Sequence, residues 1–194
     1  MARNFRTLVL AAAALAGFSG AAEAHPGHGA VGFAAGLLHP LSGLDHMVAM
    51  VAVGLFAARL GGRALWALPM AFIGMMSVGG ALGMNGFALP YVEVGIAASV
   101  LVLGALVALE WSLPVSAAMG LVGFFALFHG HAHGSEMPAL ASGLSYGLGF
   151  VAATALLHGA GLALGVALKN SAGVVKVAGA AAAIAGAGLL LGAI

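Results

Sequence analysis

The chain of 194 residues is 63% hydrophobic and only 6% charged, with a mean hydropathy of +1.15; a soluble domain carries about 25% charged residues, so this composition belongs in a bilayer. A formal net charge of +1 implies no nucleic-acid partner, and the lack of cysteine excludes disulfides, thiolate metal sites and Cys nucleophiles. Eight histidines stand among only eleven Asp, Glu, Lys and Arg residues.

Residues 1–24 have the pattern of a cleaved signal peptide. Arg3 and Arg6 make a basic start, Thr7 to Phe18 an apolar core too short for a comfortable span, and Ala22-Glu23-Ala24 a small-x-small cleavage site. An uncleaved first helix is the alternative. Cleavage after Ala24 would leave His25-Pro26-Gly27-His28 at the new terminus, where a free amine and an imidazole can chelate a metal together. Pro26 has no N–H, so the next amide cannot join them. A plain polar terminus is the competing account.

Residues 25–194 then read as an all-α, polytopic membrane helix bundle of six spans, at about 32–58, 64–84, 91–110, 114–130, 138–168 and 172–193. Continuous apolar runs without alternation argue for helices rather than barrel strands. Arg59 to Arg63, Asn85 to Pro90, Glu110 to Pro114, His129 to Pro138 and Lys169 to Ser171 are the expected connections. Small-residue pairs such as Gly79-x3-Gly83 and Gly161-x3-Gly165 suit close helix approach. A homo-oligomer is compatible with such a chain.

The first span carries His39-Pro40-Leu41-Ser42-Gly43-Leu44-Asp45-His46-Met47-Val48-Ala49-Met50. A carboxylate inside a span costs roughly 2.5–3.5 kcal/mol on insertion scales, so Asp45 is expected to face the bundle interior. If the span is one continuous helix, His39 and His46 lie within about 20° of one face, with Asp45 to its side. Two neutral imidazoles and a carboxylate suit a borderline divalent cation. A structural hydrogen-bond cluster or a proton relay is the rival explanation.

Basic residues set the orientation. Arg59 and Arg63 fall in the first connection, and Lys169 and Lys176 at the fifth. The positive-inside rule puts these connections in the cytoplasm and both mature termini outside, in an inner (cytoplasmic) membrane. His25 and His28, the entry of the first span, and the tract His129-Gly130-His131-Ala132-His133-Gly134-Ser135-Glu136 then share the outer side. Glu93 lies near the outer start of the third span and His158 well inside the fifth. A line of N and O ligands would run inward, and the His tract has metal-binding composition. A polar loop for the tract, and satisfied core positions for Glu93 and His158, are the blander accounts.

His39–Met50 fits the pattern HPxxGxDHxxAM, and Phe128–Glu136 fits FHGxAxxxE. On these two motifs the chain resembles the HupE/UreJ family of nickel and cobalt permeases, over essentially its whole mature length. The resemblance implies uptake of Ni²⁺, sometimes Co²⁺, for nickel enzymes such as hydrogenase or urease. It implies that His39, Asp45 and His46 are essential first-span residues, that His129 and Glu136 carry the second motif, and that Glu93 is an acidic position of the third span.

The expected function is a secondary permease with a divalent ion as substrate, the bilayer as partner and no prosthetic group. No Gly-x4-Gly-Lys-Ser/Thr loop is present, so ATP hydrolysis by this chain is not expected. Ligation needs neutral imidazoles, so uptake should fail as pH falls through the histidine range. Imidazole and carboxylate suit Ni²⁺, Co²⁺ and Zn²⁺ alike, and only the resemblance favours nickel. Two rivals stand beside it. One is a metal-sensing accessory membrane protein; the other is a membrane-embedded zinc hydrolase using Ser42, Asp45 and histidines around a bound water.

Overall fold

The computed structural model describes residues 32–138 and 141–193. The signal-peptide segment 1–24 and the histidines at 25 and 28 lie outside the described residues. Among those residues every regular element is helical: α1 Phe33–Leu38, a 3₁₀ turn His39–Leu41, α2 Leu44–Leu60, α3 Ala64–Met84, α4 Val92–Ala108, α5 Val115–Ser135, α6 Gly143–Ala167 and α7 Ala172–Leu190.

α3, α5, α6 and α7 are each long and apolar enough to cross a membrane. α1 and α2 qualify as a fifth span if taken together, although they are bent by 86°. α4 is apolar but has 17 residues, the lower limit for a bilayer core of about 30 Å. Leu144, Leu156, Ile184 and Val177 are exposed on the flanks of these helices. Such surface is stable against acyl chains and not against water. The chain is a multi-pass membrane protein.

α2 is the central helix. It packs against α3, α4, α6 and α7 and touches α5. Met50, Val53, Phe56 and Ala57 of α2 are fully buried, against Leu68 and Phe72 of α3 and Leu103 of α4. α7 fully buries only Gly179 and Gly186, which lie against α4, and its other residues are half-buried or exposed.

Two expectations need correction. The first concerns the span at 32–58, expected as one helix. Pro40 has no N–H to continue the ladder, and Gly43 is extended at φ −101°, ψ 115°. The chain therefore turns at Ser42-Gly43, and His39 and His46 do not share a helical face. The second concerns the tract at 129–138, expected as a connection. α5 instead continues through it to Ser135, and Gly130 and Gly134 let its backbone lie directly on α3. A Cβ at Gly130 would stand 1.9 Å from the Met76 carbonyl oxygen, and one at Gly134 2.2 Å from that of Gly80. The fifth span correspondingly starts at Gly143 rather than 138.

Candidate metal centre

Helical spacing sorts the second motif. His129 and His133 are four residues apart and share the inward face of α5, whereas His131 points elsewhere. Its Nε2–H donates to the Phe87 carbonyl at 2.7 Å, tying α5 to the loop before α4. The inward pair meets His46, which the turn at Gly43 places in the first turn of α2. Ring centroids are 4.2 Å apart for His46 and His133, and 4.9 Å for His46 and His129. All three side chains are buried.

The hydrogen bonds fix which nitrogens are free. Asp45 Oδ1 accepts from both the backbone N–H and the Nδ1–H of His46, each at 2.8 Å. His46 therefore carries its proton on Nδ1, and its Nε2 lone pair is left buried without a partner. Ser99 Oγ donates to the Ile96 carbonyl at 2.6 Å and so accepts from His129 Nε2–H at 2.8 Å. That leaves the Nδ1 of His129 as its free lone pair, also buried without a partner. Neither nitrogen of His133 has a hydrogen-bond partner among the described residues. Leaving a buried polar group unmatched costs about 1–3 kcal/mol. An incoming cation would remove that cost at several atoms at once.

Toward the surface the cluster continues. His39 Nε2 lies 3.0 Å from Glu136 Oε2, and the His39 ring stands 4.7 Å from that of His133. Ligand atoms of His39, His133 and Glu136 all lie within 4.8 Å of one another, so one ion can reach all three. The side chains of His39 and Glu136 are 31% and 58% exposed, which makes them the mouth of the centre. Glu136 caps the C-terminus of α5, where the helix dipole is negative and a cation is favoured. His133 belongs to both the outer and the inner group.

Other expected residues stand apart. His158 is buried, and neither of its nitrogens has a partner among the described residues. The Phe72 ring separates it from the cluster, 5.0 Å from His158 and 5.6 Å from His129. Glu93 is exposed in the first turn of α4 and belongs to no group of ligand atoms among the described residues. Sequence reasoning did not single out Ser99, Phe72 or Tyr146. Tyr146 is buried beside His39, at 6.0 Å between ring centroids, and its hydroxyl has no partner among the described residues. A lone hydroxyl in the apolar run of α4 was the available signal for Ser99.

The family model described as "HupE / UreJ protein" matches residues 13–191. Protein HupE of Rhizobium leguminosarum bv. viciae is 50% identical over 188 residues, covering 96% of this chain and 97% of that protein. No solved structure matches the chain.

Proposed function

The chain belongs to the HupE/UreJ family, and on that premise we propose that it is a secondary permease importing Ni²⁺, with Co²⁺ as a second substrate, for nickel metalloenzymes such as hydrogenase or urease. One observation carries the reading. Imidazole lone pairs with no partner among the described residues converge at the bend of an otherwise apolar bundle. Imidazole nitrogen with a carboxylate oxygen suits these ions.

A hydrated ion first meets His39, Glu136 and His133, with His25 and His28 of the outer terminus as an earlier capture point. His133 then passes it to His46 Nε2 and His129 Nδ1, which replace its water. Asp45 and Ser99 act behind these ligands by holding each imidazole in the tautomer that presents a lone pair. His158 is the next nitrogen inward, beyond Phe72. Glu93 supplies negative charge at the outer start of α4 and His131 anchors the outer end of α5.

In this reading six segments span the membrane. The ends bearing Arg59, Arg63, Lys169 and Lys176 face the cytoplasm, and both termini of the mature domain 25–194 face outward. Inward movement of a doubly charged ion gains about 2.3 kcal/mol per charge for each 100 mV, enough to drive entry without ATP. The Ser42 hydroxyl donates to the His39 carbonyl at 2.6 Å, and Asp45 is engaged by His46. Those bonds favour transport over hydrolysis by the same residues.

The test is ⁶³Ni²⁺ uptake into proteoliposomes by wild type and His46→Ala, with Co²⁺ and Zn²⁺ as competitors. Uptake by wild type, lost in the variant at equal membrane incorporation, is the expected result. Wild-type protein that binds the metal in detergent and moves none would make the chain an accessory binder. Normal uptake by His46→Ala would refute the site.

A further inference from the structure

Away from the histidines, the other end of the bundle holds a second concentration of charge. Four Lys and Arg residues occur among the described residues, and three of them, Arg59, Lys169 and Lys176, line a single cavity of about 220 Å³. Glu110 is the one carboxylate there. Its Oε2 lies 2.9 Å from Lys176 Nζ and its Oε1 3.4 Å from Arg59 Nη1. One carboxylate against three cations leaves two positive charges uncompensated. Lys169 takes part in no ion pair among the described residues.

Two further features point the same way. α7 begins at Ala172 in the cavity wall. Its N-cap residue Ser171 makes no side-chain cap, and its first turn has no acidic residue. The amides that open a helix present partial positive charge to an anion. Trp66 and Trp111 are exposed at this end, 58% and 63%, with Trp111 next to Glu110. Exposed tryptophans on a membrane protein sit at headgroup level. The rest of the wall is apolar, including Leu55, Val107, Leu168 and Val175.

We propose that this cavity seats a phosphate group, that of an anionic phospholipid headgroup whose glycerol and acyl chains continue along the outer faces of α6 and α7. The phosphate would bind Lys169, Arg59 and Lys176 above the first amides of α7, while Glu110 keeps the latter two side chains in place. A different account needs no ligand. Arg59 lies in the last turn of α2, and Lys169 just follows α6, where cations suit the negative helix ends.

The experiment uses the full chain in detergent, titrated with phosphatidylglycerol or phosphatidylcholine of identical acyl chains and read by native mass spectrometry. Phosphatidylglycerol should be retained more strongly. Lys169→Gln should weaken that retention about fivefold, the equivalent of one basic residue near an anionic surface. Lys169→Arg should keep it. Because Lys169 has no ion-pair partner among the described residues, both variants should melt at the wild-type temperature. Equal retention of the two lipids, or a preference untouched by Lys169→Gln, would overturn the proposal in favour of the helix-end account. Competition by inorganic phosphate separates the two sources of the group. Lipid that stays bound in millimolar phosphate confirms the headgroup, whereas complete displacement keeps the phosphate site and assigns it to the free ion.

Discussion

At the scale of single residues, the centre is controlled by groups that do not face its interior. The Ser99 hydroxyl sends its proton to Ile96, so His129 must donate from Nε2 and keep Nδ1 bare. Removing an outer partner of a ligating histidine costs about 10–100-fold in metal affinity. Ser99→Ala should therefore raise the Ni²⁺ concentration for half-maximal uptake about tenfold, at unchanged membrane incorporation. An unchanged half-saturation in proteoliposomes would separate Ser99 from the transport path. His39, Asp45, His46, His129 and His133, which the structure brings together, stood out in the sequence because ionisable groups in an apolar run are costly without a task. Ser99, Phe72 and Tyr146 were not, because a single hydroxyl or aromatic ring is common in such helices. The difference between His131 and His133 depended on knowing that α5 continues. As a loop the tract gives no directions; as a helix it turns one imidazole inward and the other to the Phe87 carbonyl.

At the scale of elements, close approach of α3 and α5 sets the position of His129 and His133. A Cβ at Gly130 would collide with backbone at Met76, which cannot yield as a side-chain tip would. Gly130→Ala should force the two helices apart, lower the melting temperature in detergent by several degrees and abolish most uptake. Gly147→Ala is the control, since a Cβ there meets nothing within 4 Å. Relief of glycine's helix cost makes it neutral or stabilising by about 0.5–1 kcal/mol. Equal melting of Gly130→Ala and wild type would show that the spacing is not needed. The boundaries of α3 were readable from Arg63 and Asn85, which interrupt an apolar run on both sides. The bend before α2 was harder to read. Pro40 and Gly43 signal a break, but the apolar residues around them signal a span, and the packing of α1 on α6, which accompanies the bend, has no local pattern in the sequence.

At the scale of the whole molecule, cations gather at one end and imidazoles at the other. The proposed orientation predicts that Ser171→Cys, the sole thiol in a cysteine-free chain, reacts with an impermeant maleimide only from the cytoplasmic side. Labelling from outside would invert the topology and with it the direction of transport. The charged end also carries a pH dependence. The hydrogen bond from Lys176, with the charges of Lys176 and Arg59, holds the Glu110 carboxyl below its ordinary range. A lowered folded-state value means that the bridge adds stability above the ordinary glutamate range and loses it as pH falls through the lowered value. Glu110→Gln should thus melt slightly below wild type at neutral pH, with the difference closing in acid. A gap that persists well below the glutamate range would exclude the ion pairs as its origin. Composition had pointed to the membrane, and the positions of Arg59, Arg63, Lys169 and Lys176 to a basic end, but neither showed that Glu110 would join α2 to α7, since partners 51 and 66 residues away in the chain leave no local pattern.

The bend at Ser42-Gly43 has a consequence for biogenesis. His39 and Asp45 leave the ribosome early, yet Glu136 lies 97 residues after His39. The inner cluster likewise joins His46 of α2 to His129 and His133 of α5. Until α5 enters the bilayer, the turn between α1 and α2 must be tolerated with its imidazoles and carboxylate unmatched by any other helix. The insertion machinery therefore has to retain an imperfect segment that only a later one completes. In the proposed function the metal could not assist at that stage, because the arrangement proposed to bind it does not yet exist. On that reading, insertion of α1 and α2 would proceed alike in cells starved of the ion and in cells that are replete.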